Sequence, residues 1–359
     1  MKNSNLANAK KAKNDEFYTQ YLDIEKEVAA YLEYNPDVFR NKTILLPCDD
    51  PEWSNFTKFF AQNFERFGVK KLISTSYAAE SKQYKADYHP TLFETNDPQF
   101  DKKKTTKYGK IFTLTRDKTG DGKVDVGDLE WRYLEGDGDF RSDEIKKLRD
   151  EADIIITNPP FSLFREFWSW LIESKKQFLI IGNLNAITYI EVFPLLKENK
   201  VWLGNNYKVN GGAMFYEIPE DIANMEQVRE VKTNEAGKKV YITRVQGVRW
   251  FTNIDHGRRH QPMPLMKEAE IIKFVTNMPF EKYENYDAIE IASVKNIPSD
   301  YKGVIGVPVS FLDKYNPEQF EILGSNRGVG QDPDKIYGRG SYMNGKEVYK
   351  RLFIRHKKK

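Results

Sequence analysis

Short runs of consecutive apolar residues recur in the first half of the chain, and stretches with helical periodicity lie between them. The runs cover residues 43–47, 152–157 and 177–181, and the more polar segment 71–76 is predicted to form a further strand. Apolar residues at three- and four-residue spacing follow residues 43–47, from Ser54 to Gly68, and follow residues 152–157, after Pro160. Uninterrupted apolar strands that alternate with helices are typical of parallel sheets buried on both faces. This pattern predicts a doubly wound α/β fold.

Segments outside these runs predict a further helix, an antiparallel hairpin and the boundaries of the domains. A helix is predicted from Glu16 to Tyr34, because the following Asn35-Pro36 disfavours further helical turns. Between Val201 and Ile254, apolar segments separated by turns predict an antiparallel hairpin edge. A chain of 359 residues exceeds what one compact core usually holds. We therefore expect a polar arm at 1–14, a large domain at 15–255 and a smaller region at 256–359.

Composition excludes some classes of protein. No apolar run approaches the roughly 20 residues that cross a bilayer, so no contact with a membrane is expected. Cys48 is the single cysteine, so an internal disulfide is excluded. The Lys- and Asn-rich N-terminus lacks the apolar centre of a secretory signal. These features favour a cytoplasmic protein.

The tetrapeptide Asn158-Pro159-Pro160-Phe161 lies just after a predicted strand, where α/β sheets bind ligands. Its residue types suit the methylation of a planar aromatic amine. The lone pair of such a nitrogen is delocalised into the ring, so a site must hold both amine hydrogens and align the nitrogen with a methyl donor. The side-chain oxygen of Asn158 and the carbonyl oxygen of Pro159 can accept those hydrogens, and Phe161 can stack on a base.

The same tetrapeptide also has a purely structural interpretation, in which Asn158 caps a helix and a proline occupies the first helical position. In addition, two fixed acceptors would hold the amine of cytosine, of RNA or of a protein glutamine equally well. A non-catalytic protein that binds DNA or calcium is the alternative from another class. A nicotinamide oxidoreductase is disfavoured, because no Gly-x-Gly-x-x-Gly turn follows the first strand.

Four further strings accompany the tetrapeptide and make it more specific. They are Asp15–Gln20, Cys48–Pro51 followed by Ser54–Phe56, Gly136–Arg141, and Gly247–Asn253. In this order, across residues 15–255, they resemble the EcoRI-type adenine-specific DNA methyltransferases. The resemblance implies methyl transfer from S-adenosylmethionine to the exocyclic amino group of a flipped adenine, as in restriction-modification. It also implies a Rossmann-like methyltransferase sheet in which Asn158, Pro159, Pro160 and Phe161 are catalytic.

The resemblance further implies which residues bind the cofactor. The Phe17-Tyr18-Thr19 element and the turn Cys48-Asp49-Asp50 would lie near its methionine end, and Asp137 and Asp139 would accept from its adenine amine. The aspartates have structural alternatives, because Asp commonly caps a helix and Gly-Asp-Gly-Asp is an ordinary turn sequence. Cys-Asp-Asp-Pro also replaces the usual glycine-rich turn, which leaves open the backbone groups that contact the methionine moiety.

A second motif has the spacing of a calcium-binding loop. It comprises Asp117, Thr119, Asp121, Gly122, Asp125 and Asp128. The flanking segments, Lys110 to Thr115 and Leu129 to Tyr133, are predicted to be strands rather than the two helices of an EF-hand. We therefore favour a hairpin with a Gly-Asp-Gly turn over calcium binding, and we assign no metal to the site.

The smaller region at 256–359 is expected, from the resemblance, to recognise double-stranded DNA. Candidate phosphate or guanine contacts are Arg258, Arg259, His260, Arg327, Lys335, Arg339, Lys350, Arg351 and Arg355. Candidate adenine contacts are Asn316, Asn326, Gln331 and Asn344. For each basic residue, the alternative is solvation or a salt bridge. A cognate restriction endonuclease that shares the target site is a candidate partner, although the resemblance implies no direct contact with it, and a monomer is the simplest oligomeric state.

Overall fold

The computed structural model describes residues 18–49, 54–78, 97–124, 126–205, 213–218, 228–233, 239–327 and 336–357. The predicted site residues Phe17 and Asp50, and Asp125, Gln331 and Lys335, lie outside these ranges. Contacts within the chain define two compact units. The first comprises Met1–Asn183 and Asn206–Ile254, and the second comprises Leu184–Asn205 and Asp255–Lys359.

The strands are short and most coincide with apolar segments of the sequence. They are β1 (Tyr18–Thr19), β2 (Thr43–Leu46), β3 (Lys71–Ser76), β4 (Lys110–Leu114), β5 (Glu130–Tyr133), β6 (Ile154–Thr157), β7 (Gln177–Asn183), β8 (Trp202–Leu203), β9 (Ala213–Ile218), β10 (Val228–Thr233), β11 (Lys239–Gln246), β12 (Val248–Thr252), β13 (Ala288–Glu290), β14 (Val304–Pro308), β15 (Phe320–Ser325), β16 (Ser341–Met343), β17 (Lys346–Val348) and β18 (Arg351–His356).

The α-helices of the described residues lie mostly in the first unit. They are α1 (Tyr21–Tyr34), α2 (Asn55–Gln62), α3 (Phe64–Phe67), α4 (Lys102–Lys107), α5 (Asp143–Glu151), α6 (Phe164–Glu173), α7 (Phe193–Lys197) and α8 (Glu268–Ile271). A π-helical turn, Ile272–Thr276, follows α8. Within the described ranges, no helix is long and apolar enough to cross a membrane.

A mixed sheet forms the centre of the first unit. Its strands lie in the order β5-β4-β3-β2-β6-β7-β12. The middle strands β3, β2, β6 and β7 are parallel, whereas β4, β5 and β12 are antiparallel to their neighbours. The prediction of an α/β fold is therefore confirmed, and its large sheet combines parallel and antiparallel strands.

Helices cover both faces of this sheet. Ile24 of α1 and Phe56 and Phe60 of α2 share one apolar cluster with Ile44 and Ile156 of the sheet. On the other face, Trp168 of α6 packs edge-on against Phe178 of β7 and Phe251 of β12, with ring centroids 5.8 and 5.9 Å apart. Adjacent residues of β7 and β12 therefore pack on opposite faces of the sheet, because side chains alternate along a strand.

Two predicted helices differ from the structure. The first begins at Tyr21 rather than Glu16, because Tyr18 and Thr19 pair with β9 as strand β1. The helix predicted from Ser54 is interrupted at Asn63, whose side chain donates to the Phe59 carbonyl, and resumes as α3. It ends as predicted at Gly68, which adopts a left-handed conformation with φ of 63°.

The first unit contains a second, antiparallel sheet with the strand order β1-β9-β11-β10. Pairing of β9 with β11 across residues 213–218 and 241–246 confirms the antiparallel strands expected there. They belong to this second sheet and not to the edge of the central sheet, so that part of the prediction is wrong. The sheet brings the N-terminal strand β1 next to residues almost 200 positions later, because Thr19 pairs with Tyr216. Tertiary pairing, rather than local sequence, therefore positions Thr19.

The second unit has its own sheet, with the order β13-β14-β18-β15, and a β16-β17 hairpin. Its core is fully buried and contains Ile305, Val307, Phe311, Phe320, Leu352, Phe353 and Ile354. Arg351 of β18 forms a two-oxygen ion pair with Glu290 of β13, at 2.7 and 3.0 Å, within this largely buried sheet. The second unit thus has an apolar core and a buried ion pair of its own.

Candidate active site

The strand order of the central sheet reverses between β2 and β6. From β2 the chain continues to β3 on one side, and β6 lies on the other side, parallel to both. Ligands of open α/β sheets bind at the carboxyl ends of the strands at such a point. Pro47, Cys48 and Asp49 follow β2 there, and Asn158 follows β6. The sheet therefore brings two of the predicted motifs to one edge.

Asp49 holds the ends of several strands together. Its Oδ1 accepts from the hydroxyl of Ser54 and its Oδ2 from that of Thr157, both at 2.6 Å. Its backbone N–H donates to the Thr75 carbonyl, and its carbonyl accepts from Thr57. The helix cap itself is Ser54, whose Oγ accepts from the Phe56 N–H. The expectation that an aspartate caps this helix directly is therefore wrong, and Asp49 instead supports the cap.

Cys48 lies beside the same network. Burial raises the pKa of its thiol well above the ordinary value, and the charges of Asp49 and Asp139 act in the same direction. A hydrogen bond with Thr157 acts in the opposite direction. These influences place Cys48 near both Thr157 and Asp139, so the turn after β2 lies close to the Gly136–Arg141 string. The thiol stays protonated at neutral pH.

The Asn158–Phe161 segment is not a simple helix start. Residues 161–163 form a 3-10 turn whose cap is Pro160, and α6 begins only at Phe164. Neither turn is capped by the Asn158 side chain, so the structural interpretation of Asn158 as a helix cap is wrong. The Asn158 side-chain oxygen is buried, and among the described residues no hydrogen bond ends on the Pro159 carbonyl. Phe161 is half-buried against the apolar cluster of α1 and α2.

The loop from Gly136 to Arg141 packs on the end of β3. The Ala78 N–H donates to the Asp137 carbonyl at 2.7 Å, and the Gly109 N–H donates to the Gly136 carbonyl at 2.9 Å. Gly138 has a φ of 87°, and a methyl group on it would lie 2.3 Å from the Ser76 carbonyl oxygen. Only glycine fits this close backbone approach. Asp137 is thereby fixed at the carboxyl edge of the sheet.

Asp139 is held by Arg141. Its Oδ1 accepts from the Arg141 backbone N–H and Nε, and its Oδ2 accepts from a terminal guanidinium nitrogen at 2.6 Å. Burial acts to raise the pKa of Asp139, but the Arg141 hydrogen bonds outweigh it and lower that pKa. Asp139 is therefore ionised at neutral pH. The role of Asp139 as an acceptor for the cofactor stays a prediction, since both of its oxygens already bind Arg141.

Thr19 is the buried member of the N-terminal element. Its carbonyl accepts from the Asn55 amide at 2.7 Å, which connects β1 to the first residue of α2. Its hydroxyl oxygen is buried and has no hydrogen-bond partner among the described residues. An unsatisfied buried polar group costs free energy, so this hydroxyl is a candidate contact for a ligand. Tyr18, the preceding residue of β1, pairs with Glu217.

The calcium-like motif forms a closed turn. The Asp117 carboxylate accepts from the backbone N–H groups of Gly120 and Gly122, and Asp128 accepts from those of Lys118 and Thr119. The flanking segments are the paired strands β4 and β5, as the hairpin interpretation predicts. Within the described ranges no cluster of His, Cys, Asp or Glu has the arrangement of a metal site.

Several residues proposed as DNA contacts have structural roles. Asn316 and Asn326 are buried, and their oxygens accept from backbone N–H groups, so neither can read a base edge without rearrangement. Arg259 stacks on Trp202 and pairs with Asp255, whereas Arg351 and Arg355 pair with Glu290 and Glu321. Arg339 and Asn344 are exposed. Burial and ion pairing within the protein therefore leave fewer of the predicted residues available to contact DNA.

Sequence reasoning missed three partners at the candidate site. Thr157 donates to Asp49, Ser54 caps α2 and also donates to Asp49, and Glu166 pairs with Arg141. The Asp49–Thr157 contact joins residues 108 positions apart, so no local pattern could have revealed it.

Comparison with known proteins gives matches over nearly the whole chain. A family model described as adenine-specific methyltransferase EcoRI matches residues 5–357. The chain is 40% identical over 356 residues to the Type II methyltransferase M.EcoRI of Escherichia coli, covering 99% of this chain and 97% of the relative. It is 35% identical to M.MgeORF184P of Mycoplasma genitalium, covering 97% of each protein. It is 34% identical to M.MpnI of Mycoplasma pneumoniae, covering 88% of this chain and 83% of the relative. No solved structure matches significantly.

Proposed function

Because the chain belongs to the EcoRI family of adenine-specific methyltransferases, we propose that the turn after β6 is where it methylates adenine in DNA. The enzyme is an adenine-specific DNA methyltransferase of the restriction-modification type, and S-adenosylmethionine is its methyl donor. The observation that carries the assignment is the Asn158–Phe161 segment, which lies at the switch point of the sheet and whose Asn158 side chain caps no helix.

The catalytic residues are Asn158, Pro159, Pro160 and Phe161. The side-chain oxygen of Asn158 and the backbone carbonyl of Pro159 accept the two hydrogens of the adenine amino group. This aims the nitrogen at the methyl donor, and neither acceptor needs to change its protonation state. The two prolines fix the backbone of the turn, because each restricts φ to about −65°. Phe161 stacks on the base after it leaves the duplex.

The proposed cofactor site uses Phe17, Tyr18, Thr19, Cys48, Asp49, Asp50, Asp137 and Asp139. The buried Thr19 hydroxyl supports this fit, since it can donate to a carboxylate such as that of a methionine moiety. Asp49 shapes the turn through Ser54 and Thr157, and Asp137 offers a carboxylate at the end of β3. When bound, S-adenosylmethionine supplies a methyl group on a positively charged sulfur. The negatively charged carboxylates at this edge of the sheet would attract that positive charge.

We further propose a division of labour between the parts of the chain. Residues 15–255 form a catalytic domain on a doubly wound, Rossmann-like sheet, which the helices on both faces support. Residues 256–359 recognise double-stranded DNA, and residues 1–14 form a polar arm. The functional partner is a restriction endonuclease with the same target site, and the enzyme acts as a cytoplasmic monomer.

Substitution of Asn158 tests the proposal. Asn158→Ala removes one of two fixed acceptors, so we expect a loss of about 100-fold or more in methyl transfer from tritiated S-adenosylmethionine to DNA. Binding of DNA and of the cofactor should be retained. Asn296→Ala, at a half-buried asparagine of the second unit, is the matched control and should behave as wild type.

Undiminished activity of Asn158→Ala would contradict the catalytic role of this turn. The product should be identified by digestion of the DNA to nucleosides. Methyl groups on cytosine, on RNA or on protein would favour one of the alternative acceptors, and the absence of any transfer would favour a non-catalytic DNA-binding protein.

A further inference from the structure

Arg141 connects the loop at the cofactor edge to the helix after the catalytic turn. Its guanidinium donates to both oxygens of Asp139, at 2.9 and 2.6 Å, and to Oε2 of Glu166 at 2.8 Å. Glu166 lies in the first turn of α6, which begins three residues after Phe161. One side chain thus joins a proposed cofactor residue to the element that continues from the catalytic tetrapeptide.

The loop is fixed to the sheet at its other end. Asp137 accepts from Ala78 through its carbonyl, and Gly138 fits tightly against the Ser76 carbonyl. Cys48, at the end of β2, is close enough to the Asp139 carboxylate for that charge to raise the pKa of the thiol. The loop from 136 to 141 therefore contacts the end of β3 and lies near the end of β2, at the edge where the cofactor is expected to bind.

We propose that Arg141 is a positioning residue that couples binding of S-adenosylmethionine to the placement of the Asn158–Phe161 turn. This inference rests on the proposed function. When the cofactor contacts Asp137 and Asp139, Arg141 transmits their position to Glu166 and so to the first turn of α6. Arg141 touches neither the base nor the methyl group, and its effect on the rate is indirect.

A purely stabilising role for this ion pair does not fit its exposure. The Arg141 and Glu166 side chains are 51% and 55% exposed, and exposed pairs contribute little to stability. The loop has a separate apolar anchor, because Phe140 packs against Phe167 and Trp170 of α6 with ring centroids 5.2 and 5.8 Å apart. The fold can therefore persist without the ion pair, while the angle between loop and helix would no longer be fixed.

Three variants test the coupling: Arg141→Gln, Glu166→Gln and the double variant. Each is measured for its melting temperature, its dissociation constant for S-adenosylmethionine and its single-turnover rate of methyl transfer to DNA. Glu166→Gln should bind the cofactor with affinity close to that of wild type and transfer the methyl group on the order of 10-fold more slowly, since small misplacements are costly. Arg141→Gln should show the same slow transfer together with weaker cofactor binding, because it also releases Asp139. The double variant should be no slower than Arg141→Gln.

Arg132→Gln is the matched control. Arg132 is also exposed and pairs with Glu144, which belongs to α5 rather than to the catalytic helix, so its rate should stay at the wild-type value. A wild-type transfer rate for Glu166→Gln would overturn the proposal, as would additive losses in the double variant. Slow transfer that is matched by an equal loss in Arg132→Gln would also overturn it. These failures are separate from failure of the proposed function, which would instead leave Asn158→Ala active.

Discussion

Asp49 shows how one side chain can have a role that its neighbours in sequence do not reveal. Its two oxygens accept hydrogen bonds from hydroxyls on different elements, Ser54 before α2 and Thr157 at the end of β6. Buried carboxylates need such partners, because an unpaired buried charge is costly. The sequence suggested a cofactor ligand or a helix cap; the structure excludes direct capping and makes Asp49 the junction of two strand ends.

Two histidines of the second unit should affect stability in opposite directions as pH changes. Burial lowers the pKa of His256 to about 4, with the charges of Arg259 and Arg258 acting in the same direction and a hydrogen bond with the Leu203 carbonyl acting against it. Hydrogen bonds with Glu318 and then Asp255 raise the pKa of His260. His256 therefore weakens the fold as pH falls below 6.5, whereas the stabilisation from His260 is complete below 6.5 and is lost as pH rises through its raised pKa.

Replacement of either histidine by glutamine tests these signs. Between pH 6.5 and 5, the His256 contribution amounts to a loss of about 2 kcal/mol at 1.36 kcal/mol per pKa unit. Denaturant unfolding at several pH values should show that His256→Gln loses less stability on acidification than wild type. His260→Gln should lose less stability than wild type as the pH rises above 6.5, because the variant has no His260 stabilisation to lose. Equal pH dependence of the wild type and both variants would contradict the assigned shifts.

Among the elements, the strands of the central sheet were the most predictable and the short N-terminal strand the least. Strand β6 lies within its predicted apolar run, because a strand buried on both faces needs consecutive apolar residues. Strand β1 has only two residues and exists because β9 pairs with it. Its hydrogen bonds join residues far apart in the chain, so the local sequence wrongly predicts a helix from Glu16 across these residues.

Gly182 allows helix α6 to lie close to the sheet. A methyl group on this residue of β7 would lie 2.6 Å from Cε2 of Phe164 and 3.0 Å from Cε2 of Phe251. Phe164 is the first residue of α6, so Gly182→Ala should displace the helix start and lower the free energy of unfolding by about 1–3 kcal/mol. Denaturant unfolding measures this loss, and the methyl transfer rate should fall with it.

The second substitution Phe164→Leu should recover part of the stability lost in Gly182→Ala, because it removes the ring that the new methyl group contacts. Gly136→Ala is the control for stability, since nothing lies within 4 Å of a methyl group placed there. A stability of Gly182→Ala equal to that of Gly136→Ala would show that the close approach of α6 does not matter.

For the molecule as a whole, two compact units rather than one core organise the chain. The formal net charge of +3 is small, so the distribution of unpaired charge matters more for DNA binding than its sum. Arg339 and Lys346 are exposed, and among the described residues neither forms an ion pair. Many other basic residues of the second unit are already paired with carboxylates.

Salt dependence of DNA binding tests whether these two residues contact phosphates. Arg339→Gln and Lys346→Gln should each weaken binding to cognate and unrelated DNA alike and reduce the slope of log K against log salt by about 1. Arg40→Gln is the control, since Arg40 lies in the first unit and pairs with Asp37. An unchanged slope in both test variants would argue against phosphate contacts at these positions.

The sequence by itself determined the alternation of strands and helices, the position of the Asn158–Phe161 turn after β6 and, through its motifs, the family. These properties depend on consecutive residues, and local patterns report them directly. Only the tertiary structure decided that Asp49 binds Thr157, that Arg141 joins Asp139 to Glu166, and that Asn316 and Asn326 are buried. Those contacts join residues far apart in the chain or depend on burial, so they exist only once the sheets have assembled. The same holds for Thr19, whose hydroxyl is buried without a hydrogen-bond partner among the described residues in a strand that pairs with β9.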